Sequence, residues 1–459
     1  MKIVVLNGSP KGETSVTMQY VAWVQKKFPQ HELKIINIAQ RIKSIEKDEE
    51  SFQEIIEDVR SANGVLWAFP LYVFTVASQY KRFIELIWER GVEDVFAGKY
   101  AATLSTSIHF FDHTAHNYMN AVCDDLGMRF LGPFSAAMSD LLKRGSRRQL
   151  TLFAEDLFRA IGEDRPTSRR YALPHARSLD YVPGNVGAPV PVGGKKIVVL
   201  TDCDDEQATL GKMVRRFTDS FSEEVEVLNL HDVDIKGGCL GCLRCGYDNV
   251  CSYQDGLVEF YNAKVRSADV LIYAGTINRR YLSSRWKMFI DRGFFHGHTP
   301  MLIGKQLAFI ISGPLGEMAD LKQVLEAYAA LQQANLVDIV TDEHEQSSEV
   351  DALLQSLAQR VVLCADQEYA KPPTFLGVGG MKIFRDDIWG RLRPIFQADH
   401  RAYKRLGIYD FPQKDRKVRI QTGILSFLIK IPGFRKEFNR RMKKGMISPL
   451  QKVIETCEE

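Results

Sequence analysis

Two stretches of this chain carry residue types that do chemistry. The first is Asn7-Gly8-Ser9-Pro10-Lys11-Gly12-Glu13-Thr14-Ser15. Its glycines let the backbone approach a ligand closely. Ser9, Thr14 and Ser15 supply hydroxyl donors, and Lys11 adds positive charge. Between a strand and a helix, such a loop turns amide N–H groups and a helix N-terminus toward a phosphate. The second runs from Cys239 through Cys242 and Cys245 to Cys251, in the spacing C-x2-C-x2-C-x5-C. Four thiolates this close in sequence can wrap one metal centre, and sulfur ligands select iron–sulfur clusters, zinc or copper(I). Structural zinc usually takes two separated pairs, whereas this spacing is closer to the run that holds a [4Fe–4S] cluster. The remaining cysteines (Cys123, Cys203, Cys364 and Cys457) are scattered singly, which is not a disulfide framework. Met1-Lys2 leads straight into the apolar Ile3–Leu6, so the chain reads as leaderless and cytoplasmic.

The elements that must position these residues are written twice. Residues 2–7 (KIVVLN) and 196–201 (KIVVLT) are buried-strand runs, each followed by a loop and a helical stretch. Second strands are expected at 33–38 and 225–230. "VRSANGVLWAFPLYVF" from Val59 is echoed by "VRSADVLIYAGTINRR" from Val265, and "SQYKRFIELIWERG" from Ser78 by "SSRWKMFIDRG" from Ser283. Strands alternating with helices at this spacing imply parallel sheets covered on both faces. At 459 residues the chain exceeds one core. The expected division is residues 1–164, a Pro/Gly-rich linker over 165–194, a second α/β domain over 195–370, and a tail over 371–459. That tail holds 20 Lys+Arg against 9 Asp+Glu, while the first 370 residues hold 40 against 48. A mainly helical, basic extension able to meet an anionic surface is expected there.

With "NGSPKGETS", "P-L-Y-V" followed by "K-R-F-I-E", and the loop after strand four on the page, the chain resembles the NADPH-dependent FMN reductase family, including its iron–sulfur flavoprotein members. The resemblance covers about residues 1–160 and again about 195–365. It implies two flavodoxin-like, doubly wound, five-stranded parallel sheets in tandem. By the same resemblance Ser9, Lys11, Gly12, Thr14 and Ser15 hold the FMN phosphate. Pro70, Leu71, Tyr72 and Val73 flank the ring on one side, and Ser105, Thr106 and Ser107 lie beyond it. The cysteine spacing matches that family's [4Fe–4S] motif, which makes Cys239, Cys242, Cys245 and Cys251 the expected ligands, with zinc the lesser alternative.

The second half has lost the phosphate loop. Thr201-Asp202-Cys203-Asp204-Asp205-Glu206-Gln207 has no glycine and no lysine, and its four carboxylates repel a dianion. One FMN per chain is therefore expected. The expected function is an FMN-dependent oxidoreductase drawing electrons from NAD(P)H or ferredoxin, passing them to a small-molecule or protein acceptor, and exchanging them with a [4Fe–4S] cluster. The rivals are a non-enzymatic electron carrier and a flavin redox sensor tethered to membrane or nucleic acid by the tail. A homo-oligomer fits the family. His109, His113 and His116, after strand four, read either as proton donors near the flavin or as solvated loop residues.

Overall fold

The computed structural model describes residues 1–175, 179–296, 298–411 and 415–456; Cys457 lies outside them. Strands β1 (Lys2–Asn7), β2 (Glu32–Asn37), β3 (Gly64–Pro70), β4 (Tyr100–Ser107) and β5 (Arg129–Ala137) form a parallel sheet in the order β2-β1-β3-β4-β5. The order repeats in β6 (Ile197–Thr201), β7 (Glu226–Asn229), β8 (Val270–Asn278), β10 (Gln306–Ser312) and β11 (Asn335–Thr341). A two-residue strand, β9 (Tyr281–Leu282), pairs antiparallel with β8 and makes this sheet six-stranded. Both sheets are flavodoxin-like. The repeated run after the first residue of each half is a strand in both, and every residue of β3 and β4 is buried. Burial on both faces is what a continuous apolar strand requires.

Helices α1 (Val16–Lys27), α2 (Ile38–Lys47), α3 (Glu49–Ser61), α4 (Ser78–Glu89), α5 (Asp112–Asp125) and α6 (Arg144–Gly162) belong to the first sheet. One core joins Ile3, Val5, Leu66 and Leu104 to Met18, Val21, Leu150 and Leu157, placing α1 and α6 on one face. Helices α7 (Thr209–Thr218), α8 (Leu257–Phe260), α9 (Ser284–Arg292), α10 (Ala319–Leu331) and α11 (Ser347–Asp366) accompany the second sheet. Its core joins Val199, Ile272 and Ile310 to Met213, Phe217, Leu354 and Val361 of α7 and α11.

The two halves meet through α4 and α9, and the contact is written twice with the roles exchanged. Lys81 pairs with Glu85 at 2.7 Å, and Lys287 pairs with Asp291. All four side chains are within 2% of full burial. Each pair then crosses to the other half. Ser78 N donates to Asp291 Oδ2 and Ser284 N to Glu85 Oε1, both at 2.8 Å. Lys81 Nζ donates to Asn278 O at 2.9 Å and Lys287 Nζ to Val73 O at 3.1 Å. Burial alone would raise the Glu85 carboxyl, but Lys81 and the Ser284 amide hold it below its ordinary value. This is the self-complementary pattern of a two-fold dimer interface, carried here within one chain.

Met1–Ala402 is one compact unit, which includes α12 (Phe375–Trp389); Tyr403–Glu459 is a second. Helix α13 (Gln397–Arg405) spans the boundary between them. The second unit carries α14 (Arg416–Leu428) and α15 (Pro432–Thr456), with Ile420, Ile424, Phe427 and Leu450 exposed. No helix among the described residues is long and apolar enough to cross a membrane.

Candidate functional site

Strand β1 ends at Asn7, whose buried side chain organises the turn after it. Asn7 Nδ2 donates to Asn37 Oδ1 at 2.8 Å, and its Oδ1 accepts from Ser9 N at 3.0 Å. Ser9 is fully buried; its Oγ accepts from Lys11 N and its carbonyl from Gly12 N. Two positions admit only glycine. A Cβ on Gly8 would lie 2.9 Å from Phe69 Cβ and from the Tyr80 ring. Gly12 has φ +60°, and a Cβ there would meet Gln40 Oε1 at 2.4 Å. Ser15 then caps α1, accepting from Met18 N at 3.3 Å, as the residue type demands. The first-turn amides of α1 have no partner within the helix and point back at this loop. Lys11 and Thr14 stand on its exposed rim, with the Thr14 hydroxyl donating to Lys11 O at 2.8 Å.

The loops after β3 and β4 close against this turn. Leu71, after Pro70, donates its N–H to Thr106 O at 3.1 Å, and Thr106 Oγ1 meets Thr17 Oγ1 at 2.7 Å. Burial pushes the Tyr72 phenol well above the ordinary value. Val73 beside it takes the Lys287 ammonium on its carbonyl. Ser9, Gly12, Ser15, Leu71, Tyr72 and Thr106 therefore surround one corner of the sheet. The cradle of buried hydroxyls, close-approach glycines and a helix N-terminus fits a phosphate ester. Ser107 accepts from His109 N at 2.8 Å. Ser105 turns away: its hydroxyl is within 2.8 Å of His116 Nε2, and Thr103 Oγ1 is equally close to His116 Nδ1.

His116 is thus neither a solvated loop residue nor a proton donor at the site. It is a buried imidazole on α5, held neutral because burial pushes its pKa down to about 4. An unfolded histidine titrates near 6.5, so between pH 6.5 and 4 the unfolded chain binds a proton that the folded chain refuses. Stability must fall as pH falls through that window. The contribution is about 2 kcal/mol at pH 5. Urea unfolding at pH 7 and pH 5 checks this; His116→Gln should flatten the difference by that amount.

The cysteine loop corrects the metal expectation. Among the described residues no group of three or more His, Cys, Asp or Glu is placed to hold a metal ion. Cys239, Cys242, Cys245 and Cys251 are free, and each thiol is taken up by a separate protein partner. Cys239 Sγ accepts from Gly241 N at 3.4 Å, Cys242 Sγ lies 3.3 Å from Ser252 Oγ, Cys245 Sγ donates to Phe294 O at 3.5 Å, and Cys251 Sγ lies 3.6 Å from Arg292 Nη2. Burial, with the neighbouring cysteines, pushes the thiols of Cys239 and Cys245 up to about 12. The [4Fe–4S] cluster, its zinc alternative and the electron exchange built on it are therefore dropped. The loop is instead a packing element. Arg292 fastens it, donating to both oxygens of Asp255 and to Gly237 O at 2.9 Å. Gln79 Nε2 donates to Cys239 O at 3.1 Å, and the backbone at Gly241 lies against the Tyr72 ring.

In the second half the place of the phosphate loop is filled from within. Asp202 accepts from Ser283 Oγ and, at 3.0 Å, from Trp286 Nε1. Burial raises its carboxyl above the ordinary range.

Residues 1–140 match the family model described as NADPH-dependent FMN reductase. Similar solved structures include an NADH:FMN oxidoreductase in its apo form, 20% identical over 34% of this chain and 87% of that one, with a TM-score of 0.29. General stress protein 14 of Treponema denticola in complex with FMN is 12% identical over 35% and 98%, with a TM-score of 0.27. The flavoenzyme NAD(P)H:(acceptor) oxidoreductase of Paracoccus denitrificans is 15% identical over 34% and 97%, with a TM-score of 0.29. No curated protein matches the chain.

The sequence reading missed Lys81, Glu85, Lys287 and Asp291 as the join between the halves. Their signal was visible in the repeated K-x-F-I-[E/D], taken there only as a mark of duplication.

Proposed function

We propose that this chain is an FMN-dependent oxidoreductase that holds one FMN, on its first sheet, and takes electrons from NAD(P)H. The cradle between Ser9 and Ser15 carries the reading, supported by the family match over the same residues. Ser9, Ser15 and the first-turn amides of α1 would hold the phosphate, and Lys11 would offset its charge. Pro70–Val73 and Thr106–Ser107 would border the ring. When bound, FMN supplies the hydride and electron-transfer chemistry. The protein's part is to bind and orient it. Asp202 and the carboxylates that follow leave the second sheet without an equivalent site.

Titration of flavin-free protein tests this. FMN should bind at one per chain, and riboflavin, which lacks the phosphate, about 100-fold more weakly. Two FMN per chain, or equal affinity for the two flavins, would overturn the reading. Anaerobic mixing of the loaded protein with NADPH or NADH should bleach the flavin band; failure of both would remove the proposed donor.

A further inference from the structure

The unit from Tyr403 to Glu459 supplies no residue to the proposed FMN site, and its charge is sharply biased. Residues 416–436 carry Arg416, Lys417, Arg419, Lys430, Arg435 and Lys436 and no Asp or Glu. Asp415 caps α14, its Oδ1 accepting from Val418 N at 2.9 Å. Along the helix Ile420, Ile424 and Phe427 fall at i, i+4 and i+7, which puts them on one face. They are 63%, 58% and 68% exposed, so more than half of each residue is bare. Ile431 and Phe434, at the turn into α15, are exposed as well. Leu425 and Ile429 lie on the opposite side and are half-buried, so the helix already packs through a different face. The bare stripe is a second apolar face, ringed by cations.

We infer that this stripe lies on an anionic phospholipid surface, with Ile420, Ile424 and Phe427 at the headgroup–acyl boundary and the cations against the lipid phosphates. Charge selects this occupant. A second copy would bring the same six cations against themselves, and like charges repel. Nucleic acid would meet the cations but leave the isoleucines and the phenylalanine in water. An anionic bilayer offers negative headgroups and apolar chains together. Length sets the orientation. The 13 residues of α14 make about 20 Å of helix, short of the ~30 Å hydrocarbon core, so the helix lies in the plane of the surface. The surface also stabilises it, since a helix this short, with Gly423 near its middle, is marginal in water. Attachment to lipid does not depend on the flavin.

The test is co-sedimentation of the full chain with sucrose-loaded vesicles, made either of phosphatidylcholine alone or of phosphatidylcholine and phosphatidylglycerol mixed two to one. The chain should partition at least about 100-fold more strongly onto the anionic vesicles. Raising NaCl from about 0.1 M to about 0.5 M should weaken that binding about tenfold or more. Ile424→Ser/Phe427→Ser keeps the charge and should weaken it about tenfold or more. Lys430→Gln/Arg435→Gln/Lys436→Gln keeps the stripe and should weaken it about 100-fold. All five positions are exposed, so unfolding midpoints should not move. Equal binding to the two vesicle types, binding to neither, or binding indifferent to the apolar pair would overturn the inference. So would duplex DNA held more tightly than the anionic vesicles and unaffected by Ile424→Ser/Phe427→Ser. A dimer in solution that the apolar pair dissolves, with the vesicles left unbound, would overturn it in favour of a second copy.

Discussion

Replacing Gly12 by valine should strip the chain of FMN while leaving both sheets folded. Gly12 sits at φ +60°, in the left-handed region, and its Cβ position is 2.4 Å from Gln40 Oε1. A β-branched residue there costs about 1–3 kcal/mol of backbone strain, while the exposed Gln40 side chain can swing aside. Relief of that strain shifts the cradle directly, because Gly12 N donates to Ser9 O and Gly12 O accepts from Ser15 N. Both hydroxyls assigned to the phosphate are thereby displaced. We expect FMN affinity to fall by about 100-fold or more, with riboflavin binding changed far less. Fluorescence titration of the two flavins reads this, with circular dichroism confirming the fold. Wild-type FMN affinity in the Gly12→Val variant would remove the loop from the site.

The second large effect is expected at the join between the halves. Lys287→Met leaves Asp291, fully buried, without its cation, and strips Val73 O of its donor. Breaking a buried ion pair from one side costs about 3–5 kcal/mol, because the remaining charge is desolvated and unpaired. Asp291→Leu should cost a similar amount, having also orphaned Ser78 N. The double variant Lys287→Met/Asp291→Leu should lose clearly less than the two singles together, since no lone charge remains. Urea unfolding of the four proteins gives the coupling. The exposed pair Lys143–Asp140 is the control, where Lys143→Met should change stability by about 0.5 kcal/mol or less. Because Val73 belongs to the loop beside the flavin cradle, Lys287→Met should also weaken FMN binding. Additive losses in the cycle would show that the pair does not act as a unit.

What could be read from residues alone was whatever local pattern dictates. Buried runs such as Ile3–Leu6 and Val198–Leu200 have to be strands covered on both faces, and the strand expected at 2–7 is found there to the residue. A hydroxyl at Thr14 or Ser15 was expected to cap the helix beginning near Val16, since it satisfies an otherwise orphaned amide, and Ser15 is the cap. The loss of the second phosphate loop was equally plain, because like charges crowd it whatever the tertiary fold.

The tertiary structure decided where side chains meet. The cysteine spacing promised a metal centre, but spacing sets only how near the thiols can come. Arg292, Ser252, Phe294 and the loop's own amides claim them separately, and no group of them is arranged around an ion. Alternation along β4 places the Ser105 hydroxyl against His116, a meeting that only the packing of α5 decides. The hydrogen bonds that carry the ion pairs of α4 and α9 across to one another join residues roughly two hundred positions apart, a distance over which sequence spacing carries no information. The two opening motifs therefore part company. The phosphate loop is determined by adjacent residues and their backbone preferences, and it survives as the centre of the proposed site. The cysteine loop depended on side chains converging in space, and the fold spends it on packing the second half against the first.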